Sequence, residues 1–236
     1  RYLISPLALE SHSGAGVRDW KWRLYGMTNG PFRLRAAANF GEPLVPRTNY
    51  AFMDMLYSQS SRAAVARILP GAGIGWLLTR ERGPDTPGLT YAGEVLWPVF
   101  KVSGAVSLAW LLDESAGRGL PPGLPSGPLP AAQPLRLDWI RDDRYEVSGQ
   151  GAGWAFIAEP AYPGWKAFLD TGSGCQAVSP LPAWGAFQKV PVPAGPWRLR
   201  FAYDPASWRW GRLVTLLTLL GLGVYWYNLA IEDPGS

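Results

Sequence analysis

From Val17 to Tyr25 the run VRDWKWRLY alternates, with Val17, Asp19, Lys21, Arg23 and Tyr25 on one face and Arg18, Trp20, Trp22 and Leu24 on the other. Period two predicts a half-buried strand. The period then changes. Phe52, Met55 and Leu56, followed by Ala64, Val65, Ile68 and Leu69, recur at helical spacing around the cluster Ser58-Gln59-Ser60-Ser61, which predicts two short helices joined by a serine-capped turn. Pro70-Gly71 stops the second helix, and Ile74–Thr79 reads as a compact apolar strand before the polar loop 80–88. Strand patterns continue over Glu94–Val102 and Val106–Leu112. Further on, short strand-like runs come at close intervals: Leu135–Ile140, Arg144–Ser148, Trp154–Glu159, Trp165–Asp170, Gln176–Ser179, Ala186–Val190 and Trp197–Tyr203. Such spacing, with Gly and Pro at the turns, predicts a compact antiparallel β-sandwich or jelly-roll-like unit.

The chain closes on a different pattern. Leu213–Ile231, LVTLLTLLGLGVYWYNLAI, is 19 residues without a charge. At about 1.5 Å per helical residue it reaches roughly 28 Å, close to the hydrocarbon thickness of a bilayer. Trp208 and Trp210 precede it and Tyr225, Trp226 and Tyr227 lie near its far end, the distribution of an aromatic belt. A single spanning helix is the expectation, with a buried core helix as the alternative. Thr215, Thr218, Gly221 and Gly223 offer small surfaces for lateral packing on other membrane helices.

Ala116–Pro134 interrupts all periodicity, with ten of its 19 residues Gly or Pro, and reads as a semi-rigid linker. The expected organisation is an α+β N-terminal lobe over 1–115, a linker over 116–134, an antiparallel β-sandwich lobe over 135–205 and a membrane anchor over 206–236 with its helix at about 213–231. With 23 Pro and 28 Gly among 236 residues, many turns and short strands are favoured over long helices. Net charge is +4, but the arginines are dispersed, as in Arg33/Arg35, Arg80/Arg82 and Arg198/Arg200, and no nucleic-acid-binding signature accompanies them. A nucleic-acid partner is not expected.

Candidate chemistry is sparse. Cys175 is the single cysteine and His12 the single histidine, so an internal disulfide and a cysteine metal cluster are ruled out, and any histidine-based triad would depend on His12. Asp113-Glu114 and Asp142-Asp143 are acidic neighbours, which on a strand point to opposite faces and make no paired-carboxylate site. They read as solvated turn residues. No catalytic, cofactor-binding or metal-binding residue is assigned, and no cofactor is expected. The chain begins at Arg1 without a methionine or signal peptide, which reads as a mature product or part of something longer.

One set of residues resembles a known family. Tyr162-Pro163-Gly164-Trp165-Lys166 followed by Asp170, then Val192-Pro193-Ala194-Gly195, then Phe201-Ala202-Tyr203-Asp204-Pro205 and a terminal hydrophobic helix, is similar to the C-terminal region of YfhO-type bacterial membrane proteins. Those are multi-spanning proteins similar to lipid-linked-sugar glycosyltransferases. The resemblance runs over Arg136–Ile231 and is weaker over Tyr25–Leu112, where Val106-Ser107-Leu108-Ala109-Trp110 stands in place of the family's usual Pro-Arg pair. It implies an extracytoplasmic β-domain ahead of a late transmembrane helix, on the periplasmic side of a bacterial cytoplasmic membrane. The arginines before the helix, Arg198, Arg200, Arg209 and Arg212, with Glu232 and Asp233 after it, would place the domain in the cytoplasm by the positive-inside rule. Because large domains translocate largely regardless of charge, the reading follows the resemblance.

The expected function is a non-catalytic accessory or scaffolding subunit, held in the bilayer by one helix that packs on a larger integral complex of respiratory, photosynthetic or secretory type. Two alternatives stay open. Trp154, Trp165, Trp184 and Trp197, among 13 tryptophans, could stack on the rings of a cell-envelope glycan, against which stands simple core packing. The chain could also be the detached part of a YfhO-like glycosyltransferase whose partner supplies the transmembrane active site.

Overall fold

In the computed structural model, the described residues are 1–4, 47–59, 61–94, 97–141 and 143–232, with backbone alone described for Tyr2 and 228–232. The expected strand Val17–Tyr25, His12 and Arg33/Arg35 lie outside them. The fold is mostly β-sheet. Over the described residues, fourteen strands form three sheets: one of four strands and two of five.

The four-stranded sheet contains β1 (Tyr2–Ile4), β2 (Trp76–Leu78), β3 (Leu89–Glu94) and β4 (Pro98–Val102), in the order β1-β2-β4-β3 with β1 parallel to β2. Two helices accompany it, α1 (Arg47–Tyr57) and α2 (Arg62–Ile68). α1 buries Phe52 and Leu56, as its helical spacing predicts, but it is Met53 that is fully buried beside them while the expected Met55 is half-buried. Ser61 caps α2, its hydroxyl accepting from the Ala64 amide at 3.1 Å.

The two five-stranded sheets face each other. The first has the order β11 (Cys175–Val178), β10 (Trp165–Asp170), β14 (Pro196–Tyr203), β8 (Arg144–Gln150), β7 (Arg136–Arg141). The second has the order β12 (Leu181–Ala183), β13 (Phe187–Val192), β9 (Gly153–Ile157), β5 (Ala109–Leu112), β6 (Gln133–Pro134). β14 shows why they stack: Trp197, Leu199 and Phe201 are buried while the intervening Arg198 and Arg200 are exposed. From the opposite sheet Ala109, Ala155, Ile157, Val190 and Val192 meet Tyr145, Val147, Ala167, Leu169 and those three side chains in one core. Tyr145 joins the layers, stacked on Phe201 with ring centres 4.6 Å apart, its hydroxyl accepting from Gln188 Nε2 at 2.7 Å. Burial pushes its phenol pKa well up.

The central strands of the second sheet, β13, β9 and β5, are buried on both faces. Trp110, Leu112, Phe156 and Phe187 turn away from the sandwich core into a second cluster with Phe52, Leu56, Ile68, Leu77 and Phe100 from the N-terminal helices and sheet. One sheet thus serves as a shared wall between two cores. This differs from a separation at 116–134: β5, from the first 115 residues, sits between β9 and β6 inside the sandwich sheet. The proline-rich stretch is likewise docked. It includes most of the short helix α3 (Glu114–Gly119) and all of β6, Leu120 is buried, and the Pro121 and Pro122 carbonyls accept from the Trp184 and Gly185 amides. Asp113 caps α3 through the Ala116 amide at 2.7 Å, which lowers the carboxyl pKa, and Glu114 pairs with Arg118 one turn on.

After β14 the chain passes through Asp204-Pro205 into α4, Ala206–Glu232.

Candidate functional site at the junction of sandwich and helix

Pro163 and Gly164 form a tight turn that starts β10. Trp165 N donates to Tyr162 O, and Gly164 holds φ +115°, a region that L side chains rarely adopt. β10 then pairs antiparallel with β14, placing Trp165 opposite Tyr203 and Lys166 opposite Ala202. The turn and the end of β14, nearly forty residues apart in sequence, therefore arrive side by side. Asp204 N donates to Gly164 O at 2.9 Å, and a Cβ at Gly164 would lie 2.8 Å from Pro205 Cα. Only glycine allows the two backbones to approach this closely.

Asp204 is the polar centre of the junction. Its carboxylate accepts from Lys166 Nζ at 2.6 Å, from Arg209 Nε at 3.0 Å and also from the Arg209 terminal nitrogen. These hydrogen bonds, with the Arg209 ones first, hold the Asp204 carboxyl well below the usual carboxylate range and raise the Arg209 guanidinium. One acid thus ties the first turn of α4 to the neighbouring strand. Beneath it, Trp165 lies against Tyr203, with ring centres 5.2 Å apart, and against Tyr145 at 5.0 Å. On the other flank of β14, Tyr203 N donates to Asp143 O in the β7–β8 turn.

Over its described side chains, α4 has no apolar side facing the rest of the chain. From Trp208 to Tyr227 its side chains are exposed on every face, including Leu217 at 57%, Trp208 at 63%, Trp210 at 66% and Trp226 at 68%. Tyr225 and Tyr227 are equally open, and no heavy atom lies within 4 Å of a Cβ built on Gly221 or Gly223 outside the helix's own near backbone. The hydroxyls of Thr215 and Thr218 donate to the Gly211 and Val214 carbonyls, each at 2.9 Å, so neither needs water. Among the described residues, no helix is long and apolar enough to cross a membrane. Side chains of α4 are described to Tyr227, whereas its helical backbone continues to Glu232 and the uncharged run of sequence to Ile231.

The four tryptophans considered for sugar stacking have structural surroundings. Trp184 and Trp197 are buried at 2% and 4% exposure. Trp197 Nε1 donates to Gly151 O, and Phe156 meets Trp184 edge to face. Trp154 is half-buried against Gly117 with Lys189 Nζ 5.0 Å from its ring centre, and Trp165 is half-buried in the junction. Cys175 is an exposed thiol at the end of β10–β11 away from the junction, opposite Asp170. Among the described residues, no group of three or more His, Cys, Asp or Glu could hold a metal ion.

The alternating pattern identifies β14 but carries no sign that Asp204 is a node. Its partners Lys166 and Arg209 are assigned by strand pairing and by the first turn of α4. In comparisons with known proteins, no family model, no curated protein and no solved structure matches this chain.

Proposed function

We propose that this chain is a non-catalytic accessory subunit whose folded part is held at a bacterial membrane by α4, and that α4 packs laterally against a larger integral membrane complex. The observation that carries this is the uniform exposure of α4: Leu213, Val214, Leu216, Leu217, Leu219, Leu220, Leu222 and Val224 are all open, on every side of the helix. A helix that is apolar all round needs an apolar solvent or a protein coat. With 27 residues it extends about 40 Å, enough for a hydrocarbon core of about 30 Å plus the interfacial layer that Trp208 and Trp210 suit. The internally bonded threonine hydroxyls fit an environment without water.

The likeness to YfhO-type proteins supports an extracytoplasmic location for the folded part. Here the motif residues Tyr162–Lys166 and Phe201–Pro205 converge on the root of the helix, a structural task that requires no substrate. The test is purification from native membranes in mild detergent, with mass spectrometry of co-migrating proteins. Stoichiometric recovery with an integral complex is the expected result. Recovery alone refutes the accessory role, and recovery with a multi-spanning transferase, together with sugar-transfer activity, replaces it with a split enzyme.

A further inference from the structure

Beside the root of α4 lies a second exposed feature, the turn between β7 and β8. In sheet order this hairpin is immediately next to β14: Arg144 pairs with Ala202, and Arg141 pairs with Arg144. Arg141 is thus about 10 Å from the helix root, two strand spacings. The ladder shifts register between Trp139 and Arg141. Across that irregularity Trp139 packs inward against Tyr145, while Ile140 is 57% exposed, an isolated large aliphatic side chain at the tip of a hairpin.

Charge around this tip is lopsided. Asp204 is engaged by Lys166 and Arg209, and Asp143 lies 3.9 Å from Arg144. Arg141 and Arg212 form no ion pair with any described residue. Among the described residues, five cations, Arg141, Arg144, Lys166, Arg209 and Arg212, stand near the root against two carboxylates, Asp143 and Asp204. Farther up the same sheet the arginines are paired, Arg198 with Glu146 and Arg200 with Asp170. Within this sheet and the start of α4, the described cations without an ion pair to a described residue, Arg141 and Arg212, both lie at the helix end.

We infer that the β7–β8 tip, through Ile140, Arg141 and Arg144, docks on the headgroup layer of an anionic phospholipid leaflet and fixes the tilt of the sandwich over the bilayer. The inference rests on α4 being a membrane anchor. With Leu213 at the hydrocarbon edge, Ala206 is seven residues above it, about 10 Å. The headgroup layer occupies roughly 5–8 Å of that rise, so arginine side chains from the level of Tyr203 reach phosphate while their stems lie along the interface. Trp208 and Trp210 share that layer. An anionic phosphate surface matches the bidentate geometry of guanidinium, and each arginine near such a surface strengthens attachment about fivefold.

The test places a fluorescent probe at the tip of the full chain in lipid nanodiscs. Cys175, the single native thiol, lies at the far end of the sandwich and carries the control probe in the unaltered chain. The tip probe is carried by Ile140→Cys in a Cys175→Ser background. Nanodiscs are prepared from phosphatidylcholine alone and from phosphatidylcholine mixed with phosphatidylglycerol. The expected result is that the probe at 140 is quenched by headgroup-level nitroxide lipids and shielded from aqueous iodide, more so with phosphatidylglycerol, whereas the probe at 175 stays open to iodide in both. Arg141→Gln with Arg144→Gln is expected to shift the docked-to-free ratio by roughly 25-fold, and Arg141→Glu with Arg144→Glu by more. An incorporated protein whose probe at 140 is as open to iodide as that at 175 overturns the docking. Equal shielding in both lipids overturns it too, because the anionic surface is then not what is read. Failure of the chain to enter nanodiscs at all removes the anchor as well, so the two outcomes are distinct.

Discussion

Gly164→Ala tests whether the turn before β10 and the root of α4 are one built unit. The wild-type backbone holds φ +115° at this position, and forcing a residue with a Cβ into such a region costs about 1–3 kcal/mol. Steric conflict comes on top, because the new Cβ would sit 2.8, 2.9 and 3.0 Å from Pro205 Cα, Cβ and N. Two of those atoms are backbone and Pro205 is rigid, so the strands must part. That parting breaks the 2.9 Å hydrogen bond from Asp204 N to Gly164 O, worth about 0.5–1.5 kcal/mol. The summed loss is about 2–4 kcal/mol, which for a chain of this size lowers Tm by roughly 5–15 °C. Thermal unfolding of the detergent-solubilised full chain, followed by near-ultraviolet circular dichroism, measures it. Gly195→Ala is the matched control: φ is +89° there but nothing lies within 4 Å of the added Cβ, so only the backbone strain of about 1–3 kcal/mol remains. If Gly164→Ala loses no more stability than Gly195→Ala, the contact with Pro205 does not hold the junction together and the reasoning fails.

Leu217→Arg puts a charge in the middle of the uncharged run and is expected to weaken membrane insertion by about 3 kcal/mol. Unchanged partitioning of that variant between membrane and soluble fractions rejects a spanning helix. Asp204→Asn removes a carboxylate whose folded pKa is depressed below its ordinary 3.8 by Arg209 and Lys166. A depressed carboxylate contributes stability above the unfolded value and loses it as pH falls through the folded one. The stability difference between wild type and Asp204→Asn is therefore expected to be constant near neutral pH, to begin shrinking below about pH 4 and to be lost only as pH falls through the depressed folded value; a difference independent of pH would mean that the carboxylate is not tied to its two cations in solution. Lys189→Met tests the docking of α3. Lys189 is only 7% exposed and donates to Gly117 O and Leu120 O at 2.6 and 2.8 Å, so its loss leaves two carbonyls short of a donor at about 1–3 kcal/mol. A denaturant midpoint equal to wild type in urea titration would show that those carbonyls find other donors.

The clearest local patterns translate directly into elements. The helices around Phe52 and Ile68, the cap at Ser61 and the alternation of β14 are each decided by residues within a few positions of one another. The seven runs after residue 134 all correspond to strands, with Trp165–Asp170 matching to the residue. Leu181–Ala183 escapes the pattern because a proline in a three-residue edge strand looks like a turn. The stretch 116–134 misleads for a related reason. Gly and Pro remove periodicity whether a segment is free or packed, and here packing onto Trp184 and Trp154 holds it in place.

What the amino-acid sequence determines by itself is where short apolar faces alternate, where turns fall, and that residues 213–231 form a run of 19 without a charge. Those properties depend on neighbours in sequence, through helical and strand periodicity and the conformational limits of glycine and proline. What the tertiary structure decided is which faces meet: that β5 enters the sandwich sheet, that this sheet separates two cores, and that Lys166, Asp204 and Arg209 converge with Gly164 at the root of α4. Pairings across tens of residues are set by the joint burial of side chains on both partners, and neither partner's local sequence contains the other.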